Sequence, residues 1–588
     1  MTQTRDSTGS ATWLFGSGGD SLVTPETLTE EHRLIAGTAA EFVTNEVVPA
    51  LPQLEARDWA LARRLLERCG ALGLLGVNVP EPYGGVDADT VSSLLVSEQL
   101  GRVPSFGAAS GAQTNLCIVP LLLFGTDAQK SRYLPGLVSG ELIGAYALSE
   151  AGAGSDALSA RTVATSKGDG SYSLSGEKLW ITNGGFADLI VVFAKVDGQH
   201  FTAFLVERAF GELTSGGEEH KMGLHGSSTT PLLLNEVPVP AENVLGEVGS
   251  GHRVAFSVLN VGRFKLGAMC IGGCRQAITE GARYAVNRRQ FDRPIAAFGS
   301  IQHKLGEMTA RTYALEAVVY RTAGLIDRWR EARGGDPSGL RAAFEDVAIE
   351  ASIAKVLGSE TLGFVVDENV QIHGGNGFVR DYPAEGRYRD ARVNRIFEGT
   401  NEINRLLLAG RLLKRAVKGE LPLLDHARLL RGELMGPAPM PEDQGAPLGD
   451  QRHATAAFQK VAIMLAALAL ERYGRQIEDE QEVLLWLSDI LIDAFAAGSA
   501  VQRALQAAGT NHPEAALHAD AASVFVAGAA FRVEAAAREA LAAMADGDAL
   551  RANLAALRRL LKLAPTNTVA GRRRLADQSA ALGHYLFD

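Results

Sequence analysis

The amino-acid sequence predicts a mainly α protein with a central β domain, and three changes of texture along the chain predict it. From about Thr29 to Gly140, apolar residues such as Leu65, Leu66, Leu72 and Leu75 recur at helical spacings between Gly and Pro breaks. Between Leu142 and Leu245 the pattern becomes short β-branched and aromatic runs, LIVVFAKV and FTAFLVE among them, divided by Gly, Asp and Asn. From His252 to Arg415 helical periodicity returns, with Ile301, Leu305, Met308, Leu315 and Val319 along one face, as in a bundle helix.

These textures place an N-terminal helical domain at 28–140, a middle β domain at 141–248 and a helical-bundle domain at 249–418. The Gly/Pro/Asp-rich interval 436–451 reads as a linker, and the Ala/Leu/Arg-rich residues 452–588 form a further helical domain. At 588 residues the chain exceeds one compact core. A composition 46% hydrophobic and 21% charged sets it apart from disordered and disulfide-built classes. A net charge of −11 argues against a protein built to neutralise nucleic-acid phosphates. Cys69, Cys117, Cys270 and Cys274 are too scattered for a disulfide framework and read as reduced core residues. No His or carboxylate completes a metal site around them. The first twenty residues carry no apolar signal-peptide core, and the longest aliphatic run, Val461 to Leu470, is half a bilayer span; a cytoplasmic protein is the expectation.

Four motifs carry chemistry. In Ala147-Leu-Ser-Glu-Ala-Gly-Ala-Gly-Ser-Asp156 the glycines let backbone N–H groups approach a phosphate, with Ser149 and Ser155 as added donors. The polar, strand-like residues that follow exclude a dinucleotide-binding βαβ fingerprint, and a plain Gly-rich turn stays open. In Lys178-Leu-Trp-Ile-Thr-Asn-Gly-Gly185, Trp180 and Thr182 emerge on one strand face, a flat apolar cover beside a hydroxyl, as an isoalloxazine needs; a core Trp is the alternative. Asn287-Arg-Arg-Gln-Phe-Asp-Arg-Pro-Ile295 offers arginines to a pyrophosphate or, equally, a solvated basic turn. Gln371-Ile-His-Gly-Gly-Asn-Gly377 precedes Arg395-Ile-Phe-Glu-Gly-Thr400, in which Glu398 stands beside Ile396 and Phe397. Apolar neighbours raise a carboxyl's pKa and make a stronger base, while a lone Glu in a loop is more commonly a solvated surface residue.

Together and in this order, across residues 28 to 415, these motifs resemble the acyl-CoA dehydrogenase family. LLLFGTDAQKSRYLPGLVSGE and FGSIQHKLGEM look most like its very-long-chain branch, which carries an additional C-terminal helical domain. The resemblance implies a β-barrel-like middle domain, a four-helix-bundle domain, and FAD as cofactor. It implies Glu398 as the base that takes the α-proton of a fatty acyl-CoA, and Arg263 as the residue orienting it. Trp180, Thr182 and Ser149 would meet the flavin; Ser155, Arg288 and Gln290 would hold its pyrophosphate or adenosine part, and Phe291 would also touch the cofactor; Arg288 and Gln290, with Gln371, Gly374, Gly375 and Thr400, would reach across a subunit interface. Ser155, Phe397 and Gly399 would touch substrate. Relatives of the isovaleryl type carry their base just before the arginine matching Arg263, where this chain has Gly262. Ala151, Asp292 and Thr230 depart from the usual Pro, Gly and Arg.

The implied reaction is α,β-dehydrogenation to the trans-2-enoyl-CoA as the first step of β-oxidation, with electrons passed to electron-transferring flavoprotein. An acyl-CoA oxidase, or a relative recruited to bind DNA or assist assembly, is the alternative. The small residues Gly107 to Ala112 leave room for a long chain or serve tight helix packing. The extra domain implies a homodimer. The run Arg551 to Leu575, with seven cations and no acid, reads as a peripheral membrane contact or as a solvated and internally paired helix face.

Overall fold

The structure, a computed structural model, describes residues 10–16, 22–334, 337–437 and 446–587. Helices α1 (Glu30–Phe42), α2 (Val48–Glu55), α3 (Trp59–Ala71), α4 (Thr90–Leu100), α5 (Pro104–Gln113), α6 (Val119–Phe124) and α7 (Asp127–Ser139) form the first lobe. Side-chain caps place several starts: Asp58, Asp89 and Thr126 each accept a backbone N–H from the first turn.

The β domain runs through β1 (Gly144–Ala147), β2 (Val163–Ser166), β3 (Tyr172–Thr182), β4 (Leu189–Val196), β5 (His200–Glu207), β6 (Leu213–Ser215), β7 (Thr229–Val239) and β8 (Val244–Leu245). They form one sheet in the order β6-β7-β3-β2-β4-β5-β8, whose end strands β6 and β8 do not pair with each other; β1 lies parallel to the first half of β4 and β2 to its end. Strand β4, LIVVFAKV, is buried on both faces, which is why it reads as a continuous apolar run and not an alternating one.

The bundle is built on α8 (Gly251–Asn287), α9 (Gly299–Ala332), α10 (Pro337–Asp346) and α11 (Ala348–His373), followed by α12 (Ala384–Ala391), α13 (Asn401–Val417) and α14 (Leu423–Met435). The last lobe comprises α15 (Gly449–Tyr473), α16 (Gln481–Gly509), α17 (Ala515–Met544), α18 (Gly547–Leu560) and α19 (Thr568–Leu582). Half of the expected linker lies outside the described residues, and α15 begins two residues before the linker's expected end. Among the described residues five helical stretches are long and apolar enough to cross a membrane by length and composition, although in the α8 window 83% is buried inside the protein. Reading only the unbroken aliphatic run missed them, because Gly and Ala carry these helices between their larger apolar residues.

The lobes share one core. Arg503 of α16 is fully buried and pairs with Glu316 of α9 at 2.7 Å and with Glu26 at 2.5 Å. Glu316 also receives Arg275 at 2.7 Å and the Tyr585 hydroxyl at 3.0 Å, so helices α8, α9 and α16 and the chain's last turn meet on one carboxylate. At the other end of the sequence Trp13 is buried, and its Nε1 donates to Glu350 of α11 at 3.1 Å, a long-range seat that nothing in the local pattern announces.

The basic C-terminal run is largely committed within the chain. Arg551 pairs with Asp548, Arg572 with Glu307 at 2.8 Å and Arg574 with Asp520 at 2.5 Å. Arg559 donates to the carbonyls of Glu433, Leu434 and Gly436. Arg558, Lys562 and Arg573 remain as the exposed remainder.

Candidate active site

Glu398 sits where α12 and its trailing turn must reverse into α13. The reversal is made by two residues with left-handed backbone, Glu398 at φ +57° and Gly399 at φ +78°, and α13 then starts on Thr400, whose hydroxyl accepts from Ile403 N at 3.2 Å. A left-handed conformation costs a residue with a side chain, so it persists only where its surroundings over-determine it. Here they do. Asn404 directs its amide at the carbonyls of Gly399 (2.9 Å), Thr400 (3.0 Å) and Glu398 (3.3 Å); Lys355 donates to Gly399 O at 2.7 Å; Arg263 Nε donates to Glu398 O at 3.3 Å.

The carboxylate itself lies against α8. A Cβ built on Gly262 would fall 2.5 Å from Glu398 Oε2 and 2.7 Å from its Cδ, so only glycine at 262 leaves the acid its place. The residue as a whole is half-buried, but Oε2 is sealed from solvent and has no hydrogen-bond partner. Burial pushes its pKa up to about 7, against the opposing pull of the Arg263 and Lys355 cations. Burial also holds Arg263 down to about 10, and the guanidinium is anchored to Asn260 at 2.9 Å. Tyr146 of β1 has a buried hydroxyl that is likewise unpartnered, and burial and the Glu398 charge both suppress its acidity. A partnerless carboxyl poised near neutrality, within electrostatic reach of a second unpartnered polar group, is what a general base looks like before its substrate arrives.

The residues expected to cover the flavin come together where the segment after β1 meets β3. Ser149, just after β1, accepts Leu179 N at 2.9 Å, which sets it beside Trp180 of β3. At Trp180 β3 is irregular: its register against β7 shifts between Lys178 and Ile181, and Trp180 has φ +58°. The bulge re-aims the ring, leaving it 59% exposed while Ile181 between it and Thr182 is buried. The buried Lys178–Glu150 pair at 2.6 Å ties the two segments from beneath. Ser155 is exposed in the adjoining Gly-rich turn.

Phe397, Gly399 and Thr400 flank Glu398, whereas Arg288, Gln290, Phe291, Gln371, Gly374 and Gly375 form a second cluster at the far end of α8, so Thr400 stands apart from the residues with which it is expected to cross a subunit interface. Arg288 caps that helix, and Arg289–Gln290 pairs with Arg293–Pro294 across a tight turn in which Phe291 (φ +51°) and Asp292 (φ +62°) are both left-handed. Asp tolerates the conformation that Gly commonly supplies, so the departure at 292 leaves the hairpin intact. Gln371, Gly374 and Gly375 are exposed at the end of α11, joined to the hairpin through the Tyr284–His373 ring stack at 4.2 Å and the Asn376–Tyr284 hydrogen bond at 3.0 Å. Space is open above both glycines, and Phe291 is 87% exposed. Arg263 and Arg288 are 25 residues apart on one helix, about 38 Å, so in one chain this cluster and Glu398 cannot serve the same reacting atoms.

The residues present fit FAD. An exposed indole held out by a bulge, glycines with open space above them and arginine and glutamine side chains on an exposed surface make a donor set suited to a flat ring system and a pyrophosphate. Sequence reasoning missed Tyr146, Lys355 and Asn404. Each acts through tertiary contact from within a regular strand or helix, where no local motif marks it. The small residues 107–112 turn out to serve packing at least at Gly107, where a Cβ would meet Met269 Cε at 2.7 Å and the Leu100 carbonyl at 2.9 Å.

Comparison with known proteins follows the same architecture. Models of the acyl-CoA dehydrogenase N-terminal, middle and C-terminal domains match residues 29–141, 145–237 and 249–413, and a further model described as an acyl-CoA dehydrogenase C-terminal domain matches 457–559. A probable acyl-CoA dehydrogenase of Bacillus subtilis (strain 168) is 46% identical over 564 residues, 95% of this chain and 95% of that protein. The mitochondrial very long-chain specific acyl-CoA dehydrogenase of Homo sapiens is 37% identical over 76% of this chain and 70% of its own length. The crystal structure of an acyl-CoA dehydrogenase complexed with FAD from Bacillus anthracis superposes with a TM-score of 0.95 at 43% identity, covering 98% of this chain and 99% of that one. Butyryl-CoA dehydrogenase from Megasphaera elsdenii aligns with 66% of this chain and 99% of its own, with a TM-score of 0.60 at 35% identity.

Proposed function

The chain belongs to the acyl-CoA dehydrogenase family and is an FAD-dependent oxidoreductase, and on that premise we propose that it oxidises a fatty acyl-CoA to the trans-2-enoyl-CoA with Glu398 as base. The observation that carries the assignment is the enclosed, partnerless Glu398 carboxyl resting on Gly262. Bound FAD supplies the two-electron acceptor for the β-hydrogen and its electron pair.

The chain's own residues do the rest. Glu398 Oε2 takes the α-proton, which is acidic only if negative charge arriving on the thioester oxygen is stabilised. Among the described residues no acceptor takes the Glu398 backbone N–H, which leaves it to donate to that oxygen. Arg263, Lys355 and Asn404 fix the loop so that acid and N–H keep their mutual geometry. Trp180, Thr182 and Ser149 would line the isoalloxazine. Arg288, Gln290, Gln371, Gly374 and Gly375 would hold the other half of an FAD bound to a second copy, because the length of α8 separates them from Glu398. That division supports an obligate oligomer, and the lobe after α14 supports a homodimer as its form; a tetramer mass by light scattering argues against it.

Electron-transferring flavoprotein as acceptor and long acyl chains as substrate complete the proposal, supported by the likeness to the very long-chain relatives. The test is anaerobic mixing of the FAD-loaded protein with saturated acyl-CoA thioesters of increasing length. Flavin bleaching that persists on admitting air and is reversed by electron-transferring flavoprotein supports the dehydrogenase. Rapid reoxidation in air with peroxide formation indicates an oxidase.

A further inference from the structure

Away from Glu398, a second concavity lies between α13, α14, α15 and the start of α16. It measures about 800 Å³ and opens to solvent, a size that suits a small-molecule ligand. Leu413, Leu424, Leu470, Ile477 and Leu484 line it, and so does Val417, which is 68% exposed. One exposed aliphatic side chain is ordinary, but an apolar wall left open in a concavity keeps unfavourable hydration until something covers it. Helix α15 carries the same mark: its most apolar stretch is 56% buried, against 78% for that of the similarly apolar α16. At Gly410, on the α13 wall, a Cβ would meet no atom within 4 Å, so the space reaches the helix backbone.

The charged residues around this wall are mostly cations. Lys414, Lys418, Arg428, Arg431 and Arg475 line the concavity and only Glu471 and Glu478 oppose them, in a chain whose net charge is −11. Glu478 pairs with Lys414 at 2.7 Å, Glu471 pairs with Arg431, and Arg428 reaches Asp425 at 2.7 Å. Lys418 follows Lys414 by one turn of chain and Arg475 precedes Glu478 by three residues, so both flank the Lys414–Glu478 bridge. Both are exposed, and neither has a carboxylate partner among the described residues. An alkyl chain ending in an anion is complementary to such a surface, since it covers the wall and brings charge to the unpaired cations.

We propose that this concavity is an accessory binding site for a free long-chain fatty acid, with the alkyl chain along the α13–α15 wall and the carboxylate at Lys418 and Arg475. Helices on several sides suit a monomeric chain better than the flat face of a bilayer. Leu413 stands thirteen residues after Thr400, about 20 Å along α13, so a ligand here does not touch the reacting atoms and the inference is independent of Glu398 as base.

The test is calorimetric titration of the FAD-loaded chain with octanoate, decanoate and laurate, each below its micelle concentration. Affinity in the parent rises by about fourfold per added methylene, the gain from burying each CH₂. Dodecyltrimethylammonium, of equal chain length and opposite charge, binds more weakly than laurate. Gly410→Phe fills the space and lowers laurate affinity by about tenfold or more, while flavin content and reduction by acyl-CoA stay at the parent level. The double variant Lys418→Glu/Arg475→Glu lowers laurate affinity on the order of tenfold and removes the preference over the ammonium. Laurate binding that is unchanged in Gly410→Phe overturns the inference, because the carboxylate then sits elsewhere, the acyl-CoA site included. Equal binding of the two dodecyl probes by the parent also overturns it, as does association with phosphatidylglycerol vesicles without binding of monomeric laurate, which would make this face a bilayer contact. Should Gly410→Phe fail to fold, the charge-reversed variant and the two dodecyl probes decide.

Discussion

Gly262→Ala separates catalysis from stability. The added methyl carbon would stand 2.5 Å from Glu398 Oε2 and 2.7 Å from Cδ, whereas non-bonded carbon contacts settle near 3.5–4.0 Å. What gives way is the far end of a flexible side chain, so the carboxyl moves by about 1 Å, and a misplacement of that size costs on the order of 10²-fold in rate. Fold stability runs the other way, because Ala is about 1 kcal/mol better than Gly inside a helix and offsets the clash. The assay is stopped-flow flavin reduction under anaerobic conditions at saturating acyl-CoA, with flavin content and thermal midpoint measured on the same preparation. Expected are full flavin, a midpoint within a few degrees of the parent and a reduction rate lower by about a hundredfold. A variant that reduces within threefold of the parent shows that the carboxylate does not work from the position it occupies against α8.

Three further outcomes follow from the charges. The reduction rate of the parent rises with pH through about 7 as Glu398 ionises, and Lys355→Met, which removes a cation that lowers this pKa, moves the inflection upward while Lys355→Arg holds it; a pH profile checks both. Because the native pKa of Glu398 lies above its unfolded value of about 4.3, its contribution to stability is present below that pH and fades as pH rises through about 7. Glu398→Gln flattens this part of the stability–pH curve in denaturant titrations. Arg503→Met leaves the buried Glu316 short of a cation and costs about 3–5 kcal/mol, read as a drop in thermal midpoint that Arg558→Met, on an exposed stretch of α18, does not share.

The division into helical and β lobes was legible because burial on one face imposes period and burial on both faces imposes continuous apolar runs. Strand β4 and the α9 face Ile301–Val319 are where the residues signalled it. Glu398 stands out in the sequence as a candidate through its motif, and Gly262 only as a position that cannot supply a rival base; the seat it gives the Glu398 carboxylate is visible only in the fold. The local pattern could not show the bulge at Trp180 or the Tyr146 hydroxyl under the influence of the Glu398 charge, since each depends on segments far apart in sequence, nor the clamp of Asn404 on three nearby carbonyls, which needs the left-handed turn at 398–399. Lys265 did leave a signal, a second cation two residues after Arg263 inside the apolar run VGRFKLGAMCIGG, but a Lys in a helix is ordinarily solvated, and only packing against α4 shows it sealed in. The basic run after Arg551 shows the converse: its cations stand out in sequence, whereas Asp520, Glu307 and the α14 carbonyls that receive them lie elsewhere in the chain.

Reduction of Glu398→Gln by acyl-CoA tests the central claim most directly. The amide keeps the shape and hydrogen-bonding capacity of the acid but cannot take a proton, and loss of a general base costs ~10²–10⁴-fold. The purified variant should carry full FAD, show the absorbance shift of acyl-CoA binding and scarcely bleach. Reduction within about threefold of the parent, at full flavin content, contradicts Glu398 as the base.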